Sequence, residues 1–392
     1  MSAWGLRGRT AGAALLVALL LALGTAAVLG AGQRNAAEPA EPASPADVLS
    51  AQQWEGLERS VDRALAWLAS QQQRDGRFPT IEHAQPAVTC LILMAFLSRG
   101  HVPGEGPYGE MMDRGLDFVL KCQQRDGLIC LVAPAPTHGN HNSAHTATYN
   151  HAISGLLLCE MYGMADRSRC DRIRPVVERA LDFSRGLQLI QKRRPVDVGG
   201  WRYIRRATDP TDSDLSVTSW YLLFLRSAKN AGFDIPSQHV DEAMAYVKRC
   251  YDPQLRRFLY SVETPSSARR AMDAAGILAL SLGGLHNTQM AHAAADRLLS
   301  DPFPGYNRPG GGRWERYHYG IFYGSLAMFQ LGGRYWQSYY PPLVRLLLAN
   351  QNTDGSWDPE AGEDHCYGNA YSTALVVMTL TPPYQMLPIF QR

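Results

Sequence analysis

One phrase, repeated along the chain, constrains what this sequence can fold into. Gln72-Gln-Arg-Asp75-Gly76-Arg-Phe78, Gln123-Gln-Arg-Asp126-Gly127 and Gln351-Asn-Thr-Asp354-Gly355-Ser-Trp357 each end an amphipathic stretch. A looser copy runs from Ala180-Leu-Asp-Phe183 to Gly199-Gly-Trp201, and weaker ones begin near Val240 and Met290. Starts near 61, 112, 176, 240, 291 and 343 define six units, spaced by about 50 to 65 residues. Each unit has the same plan. Its first segment is an amphipathic helix: Val61, Ala64, Leu65 and Leu68 follow the i, i+3, i+4, i+7 rule. The phrase stops that helix, because Gly accepts the left-handed conformation and Asp bonds the turn backbone. A loop follows, then a second segment that is apolar nearly all round. Residues 87–97 (AVTCLILMAFL) are one example, and 216–225, 274–282, 320–331 and 370–380 are others.

A helix apolar on every side must be buried on every side. Six half-exposed helices alternating with six buried ones predict two concentric rings, an all-α (α/α)6 toroid. Its inner helices would run parallel, with their N-termini on one rim. A linear solenoid is the alternative, but it needs polar capping repeats, and the last apolar segment is as apolar as the middle ones. Length alone allows two or three domains; six units sharing one core make residues 55–392 one domain. Composition agrees. Only 19 % of residues are charged and 46 % are apolar, as expected when half the helices never meet water. With 38 Lys and Arg against 36 Asp and Glu, the chain lacks the basic excess of a nucleic-acid binder and the acidic excess of a disordered hub.

The N-terminus reads differently. Arg7 and Arg9 precede an apolar run from Ala11 to Ala31, the pattern of an export signal. The pairs Gly24/Ala26 and Thr25/Ala27 offer a cleavage site, while the length of the run, about 20 residues, also suits an uncleaved membrane anchor. Residues 32–54 carry Pro39, Pro42 and Pro45 and have linker composition. The expectation is an extracytoplasmic body, tethered or released. Seven cysteines, an odd number with no Cys-x-x-Cys pair, argue against a disulfide framework.

The Gln-x-x-Asp-Gly-x-(Trp/Phe) phrases resemble the repeats of the squalene cyclase and protein prenyltransferase β-subunit superfamily, over roughly residues 55–392. Tyr149-Asn-His151-Ala-Ile-Ser, Gly199-Gly-Trp-Arg-Tyr203, Ser213-Asp-Leu-Ser-Val-Thr218 and the C-terminal Leu387-Pro-Ile-Phe-Gln-Arg392 also resemble bacterial exported prenyltransferase/squalene oxidase repeat proteins. The resemblance implies an inner ring around an aromatic-lined cavity that holds an isoprenoid. It specifies fold more than reaction.

Polar residues near the starts of the apolar segments should gather on one rim: His145, Tyr149 and His151; Asp212 and Asp214; Arg269 and Asp273; Tyr317, His318 and Tyr319; Asp364, Cys366 and Tyr371. Trp220, Phe322 and Tyr323, with Trp314, would add aromatic faces able to stabilise cations. Helix capping is the plain reading of any single member. Three sharper readings stand beside it. Hopene-type cyclases carry Asp-x-Asp-Asp-Thr at an inner helix start, and Asp212-Ser-Asp214-Leu215 resembles it with Asp214 at the protonating position. Leu215 replaces the last Asp, however. Prenyltransferases bind zinc with an Asp-x-Cys pair and a His; Asp364 and Cys366 resemble the pair and His318 the third ligand, in reversed order. Last, His138, His141, His145 and His151 have a metal-capable composition, although His151 sits inside an apolar segment like a core histidine. Residues 309–314 (PGGGRW) read as a connecting loop or a lid over the rim. Three functions follow: an isoprenoid cyclase-like or lipid-binding protein; a non-catalytic binding or scaffold module; and a carbohydrate-active barrel needing two facing carboxylates.

Overall fold

A computed structural model describes residues 45–135, 142–204, 210–267, 269–310 and 315–391. The expected leader, most of the linker, His138, His141 and Trp314 lie outside the described residues, and Pro42–Arg392 form one compact unit. The described residues contain twelve α-helices: α1 (Ala51–Ser70), α2 (Ala87–Leu97), α3 (Gly109–Lys121), α4 (Ser143–Tyr162), α5 (Arg167–Leu189), α6 (Leu215–Asn230), α7 (Ser237–Arg249), α8 (Arg270–Leu282), α9 (Gln289–Ser300), α10 (Tyr317–Leu331), α11 (Gly333–Ala349) and α12 (Gly368–Leu380). None of the described helices is long and apolar enough to cross a membrane.

The even-numbered helices touch in order, α2–α4–α6–α8–α10–α12, and α12 returns to α2. The odd-numbered helices pack outside them, and α1 meets both α11 and α12 across the join. The ring is closed, so the solenoid alternative is excluded. Every residue of α2 is buried. In α1 the buried set is one face, Leu57, Ser60, Val61, Ala64, Leu65 and Leu68. That difference is the two-ring pattern expected from the sequence.

The repeated phrase works as a clamp between neighbouring units. Gln72 Nε2 donates to the carbonyl of its own turn glycine, Gly76 (3.0 Å), and to that of Met111 on α3 (2.8 Å). Gln123 does the same with Gly127 and with Val176 on α5, and Gln188 with Gly199 and with His239 on α7. Gln351 closes the circle, donating to Gly355 (2.9 Å) and to Ser60 on α1 (2.8 Å). Each such bond contributes about 0.5–1.5 kcal/mol net. The turn must be glycine. At Gly76, φ is +93° and a Cβ would lie 2.1 Å from the Arg114 carbonyl oxygen, which backbone cannot yield.

After each turn an aromatic ring drops into the core. Phe78, Trp201 and Trp357 are fully buried, and their N–H groups donate to Thr89, Thr218 and Thr373 on the next inner helix (3.2, 3.1 and 3.0 Å). In the fourth repeat a two-residue ladder, Tyr251–Asp252 against Arg257–Phe258, replaces the glycine turn, which is why the phrase fades there. At the opposite end of the ring, beyond α12, the segment 382–390 buries Leu387, Ile389 and Phe390.

Candidate functional site

A cavity of about 320 Å³ lies where the N-terminal ends of the inner helices converge, and all six repeats line it. That volume is at the lower end of the roughly 300–1,000 Å³ typical of small-molecule sites. Each inner helix contributes an apolar or aromatic side chain: Leu91, Ile153, Trp220, Met272, Tyr319 and Leu375. Trp220 is itself backed by Phe322, stacked at 5.7 Å and 14°. The inner helices run in one direction because every crossover passes through an outer helix, so equivalent positions meet at equal depth.

The polar lining comes from the helix starts and the loops before them. Arg202 donates to Asp214 Oδ2 (2.6 Å) and to the Tyr260 hydroxyl (2.6 Å), and the Tyr203 and Tyr260 hydroxyls are hydrogen-bonded to each other. The Arg202 guanidinium lies 4.3 Å from the centre of the Tyr203 ring, and Arg269 lies 4.8 Å from that of Tyr260. The Tyr149 hydroxyl meets Ser216 Oγ at 2.8 Å, and Ser216 donates to Asp214 Oδ1 at 2.6 Å. Arg316 pairs with Asp364 (2.8 Å) and Glu363 (3.1 Å). Burial holds the Tyr149, Tyr203 and Tyr260 phenols well above the usual tyrosine range. They are hydrogen-bonding groups rather than bases.

Of the residues singled out from sequence, His145, Tyr149, Trp220, Arg269, Tyr319, Asp364 and Tyr371 line this cavity. Others are placed elsewhere. Asp214 is the N-cap of α6: its Oδ1 accepts from the Val217 N–H (2.8 Å) and Ser216, and its Oδ2 accepts from Arg202. All these partners are donors and the residue does not line the cavity, so the structure places Asp214 as the cap that is the plain reading of it, and as an ion-pair partner of Arg202. Asp212 pairs with Arg193 at the surface, and that guanidinium, the largest influence, holds its carboxyl below the usual range.

His151 takes the position that Thr89, Thr218 and Thr373 hold in other repeats. Its Nδ1 accepts from the Ile129 N–H (3.1 Å), and its Nε2 faces the Ala180 carbonyl (3.1 Å) and Ser184 Oγ (3.0 Å). Burial pushes its pKa down to about 4, so it is a neutral core histidine and not a cavity residue. Asp273 holds the same position in the fourth repeat, accepting from Phe258 N–H (2.8 Å) and Arg257 (2.9 Å). Burial pushes its carboxyl up to about 7 despite Arg257. Tyr323 stands in a second layer, edge-on to Trp220 at 5.5 Å, and Tyr317 packs outward against Phe303.

The zinc reading is corrected too. His318 is buried with its Nδ1 on Glu360 (3.0 Å), Asp364 is committed to Arg316, and Cys366 is exposed. Among the described residues no group of three His, Cys, Asp or Glu side chains could hold a metal ion.

Sequence reasoning passed over Arg202, Tyr203, Tyr260, Arg316 and Tyr367, all of which line the cavity. Most precede the inner helices rather than starting them. The signal for two of them was available, since Arg202 and Tyr203 directly follow the Gly199-Gly-Trp201 turn.

No protein-family profile matches the sequence, and no curated protein matches it either. Solved structures do share its fold. The type II terpene cyclase MstE from Scytonema, in complex with geranylgeranyl dihydroxybenzoate, is 14 % identical over 86 % of this chain and 99 % of its own, with a TM-score of 0.52. A glycosidase variant is 12 % identical over 87 % of this chain and all of its own, with a TM-score of 0.54. An α-amylase from Clostridium perfringens is 12 % identical over 83 % and 97 %, at 0.53. The chain therefore has the all-α toroid fold that these terpene cyclase and glycosidase structures share. At these identities the likeness defines fold alone.

Proposed function

We propose that this protein is a non-catalytic lipid-binding toroid that holds an isoprenoid-type chain in its central cavity. The carrying observation is that all six inner helices present an apolar or aromatic side chain to one shared cavity. The terpene cyclase neighbour, solved with a geranylgeranyl-bearing substrate, supports the chain class. The leader expected from residues 1–31 would deliver the body outside the cytoplasm, near membrane lipid.

Binding is favoured over chemistry by what the lining holds. Among the described lining residues Asp364 is the one carboxylate, and it is bonded to Arg316. Alkene protonation needs an uncommitted acid, and glycoside hydrolysis in its usual form needs two carboxylates across the cleft. Neither is present among the described lining residues.

Mass spectrometry of lipid carried by the purified protein, followed by titration with geranylgeraniol, tests this. The expected result is one chain per protein, recovered unchanged, with binding weakened at least tenfold in Trp220→Ala. A cyclised product would replace binding with catalysis, and no bound or bindable lipid would end the proposal.

A further inference from the structure

We infer that the ligand of this cavity carries a neutral carbonyl oxygen, of ketone, quinone or ester type, held between the Trp220 indole N–H and the Tyr371 hydroxyl. The inference rests on the lipid reading above and names the functional group of that lipid. Both side chains line the cavity, and both are more than nine-tenths buried, Trp220 at 2 % and Tyr371 at 8 % exposure. Neither polar atom makes a hydrogen bond among the described residues. Nor is either shut away in packing, as Tyr317 Oη and Ser372 Oγ are. Two buried donors therefore open onto the space that a ligand fills.

Other polar groups of the lining are already bonded to protein. Arg202 is held by Asp214, and Arg316 by Asp364 and Glu363. The Tyr149 hydroxyl meets Ser216, and the Tyr203 and Tyr260 hydroxyls meet each other. Asn150 accepts the Ala87 N–H (3.1 Å) and donates to the His83 carbonyl (2.9 Å). The inner helices set Leu91, Ile153 and Leu375 into the same cavity as the two open donors. An ion among such side chains is costly, whereas a neutral acceptor that gains hydrogen bonds is not.

The closed ring puts the two donors on opposite walls. Helix α6 touches α4 and α8, while α12 touches α10 and α2, so they are the third and sixth members of a ring of six. Trp220 lies five residues past the start of α6, and Tyr371 three past that of α12. At a rise of about 1.5 Å per residue their depths differ by only about 3 Å. Stacking on Phe322 sets the Trp220 ring (5.7 Å), and an edge contact with Tyr367 sets Tyr371 (5.3 Å). An indole N–H only donates, so its partner must be an acceptor. A carbonyl oxygen has two lone pairs and no proton. It takes one bond from each wall and leaves nothing of its own unsatisfied. A hydrocarbon would leave both donors without a partner, and a hydroxyl would bring a third donor between them.

The test titrates geranylgeranylacetone, the hydrocarbon with a methylene in place of its carbonyl, and geranylgeraniol into the full-length protein in neutral detergent. The ketone is expected to bind at least tenfold tighter than the hydrocarbon, and its carbonyl stretch to move to lower wavenumber on binding. Trp220→Phe keeps an aromatic ring without the N–H, and Tyr371→Phe removes only the hydroxyl. In each variant the ratio of ketone to hydrocarbon affinity should fall about three- to tenfold, and part of the infrared shift should be lost. Thermal melting shows that both variants fold. Equal binding of ketone and hydrocarbon to the wild type overturns the carbonyl assignment and leaves the lipid reading intact. Geranylgeraniol binding as tightly as the ketone also overturns it, in favour of a hydroxyl. A ratio and an infrared shift that survive both substitutions overturn the assignment to these two donors. If none of the three probes binds, the lipid reading fails and this inference with it.

Discussion

Buried carboxylates at the two ends of the ring differ in what surrounds them, although burial raises Asp273 at the rim to about 7 as well. At the rim that carries the cavity, Asp214 and Glu360 each sit at the start of an inner helix. Each receives backbone N–H groups, and Asp214 also receives a guanidinium. At the far end Glu160 sits one residue from the buried Met161, near the C-terminus of α4. It receives only the Ser227 hydroxyl and the Ile389 N–H at 3.3 Å. A helix start offers donors and a positive field, whereas a helix end offers carbonyls and a negative one. Burial accordingly pushes the Glu160 carboxyl up to about 7. The far end is sealed with apolar chain from the C-terminal segment and carries Glu160 at a cost.

The largest effect should come from breaking the rim side of this contrast. Asp214→Ala removes the cap of α6 and leaves Arg202 without its buried partner, a change that costs about 3–5 kcal/mol in comparable cases. Urea unfolding should show that loss, while Asp214→Asn, which keeps an acceptor for the cap, should lose about half as much. If Asp214→Asn were fully stable yet abolished turnover of a bound lipid, the residue would be an acid after all.

The clamps make a second, smaller test. Gln72→Ala and Gln351→Ala each strip donors from two backbone carbonyls, so each should cost about 2 kcal/mol. Equal losses are expected because the sixth repeat is bonded to the first as tightly as neighbours are. A much smaller loss at Gln351 would mean the join is weaker than the internal junctions.

The architecture was legible because its signals are local and repeated. A glycine turn, an aromatic two residues later and an all-apolar segment recur, and each has a direct physical cause in the clamp, the buried ring and the inner helix. The cavity was half legible. His145, Tyr149, Trp220, Tyr319 and Tyr371 were found because they lie on or near inner-helix starts, where register predicts the inward face. Tyr260 and Arg316 were missed because a loop residue's direction depends on tertiary contacts, such as the Arg202 to Tyr260 bond. The same limit left two readings open for each of Asp214 and His151. Sequence spacing locates a side chain on an element but does not say which of its atoms are already bonded. His151, which read like a core histidine, has its ring nitrogens on Ile129 and Ala180.

The last and most pH-specific prediction breaks the far end. Glu160 has a folded pKa of about 7 against an ordinary value of 4.5. As pH rises from 4.5, the unfolded chain gives up this proton while the folded chain keeps it. This group therefore lowers stability progressively between about pH 4.5 and 7, and the loss stays constant above that. Glu160→Gln has no proton to lose and keeps a side-chain oxygen for the Ile389 N–H. It should match the wild type near pH 4 and exceed it at pH 8–9 by about 2 kcal/mol, allowing for relaxation around the charge. Urea unfolding across that range reads the difference directly. An advantage that instead grew towards low pH would show that the Glu160 carboxylate stabilises the C-terminal segment, making the far end as charge-tolerant as the rim.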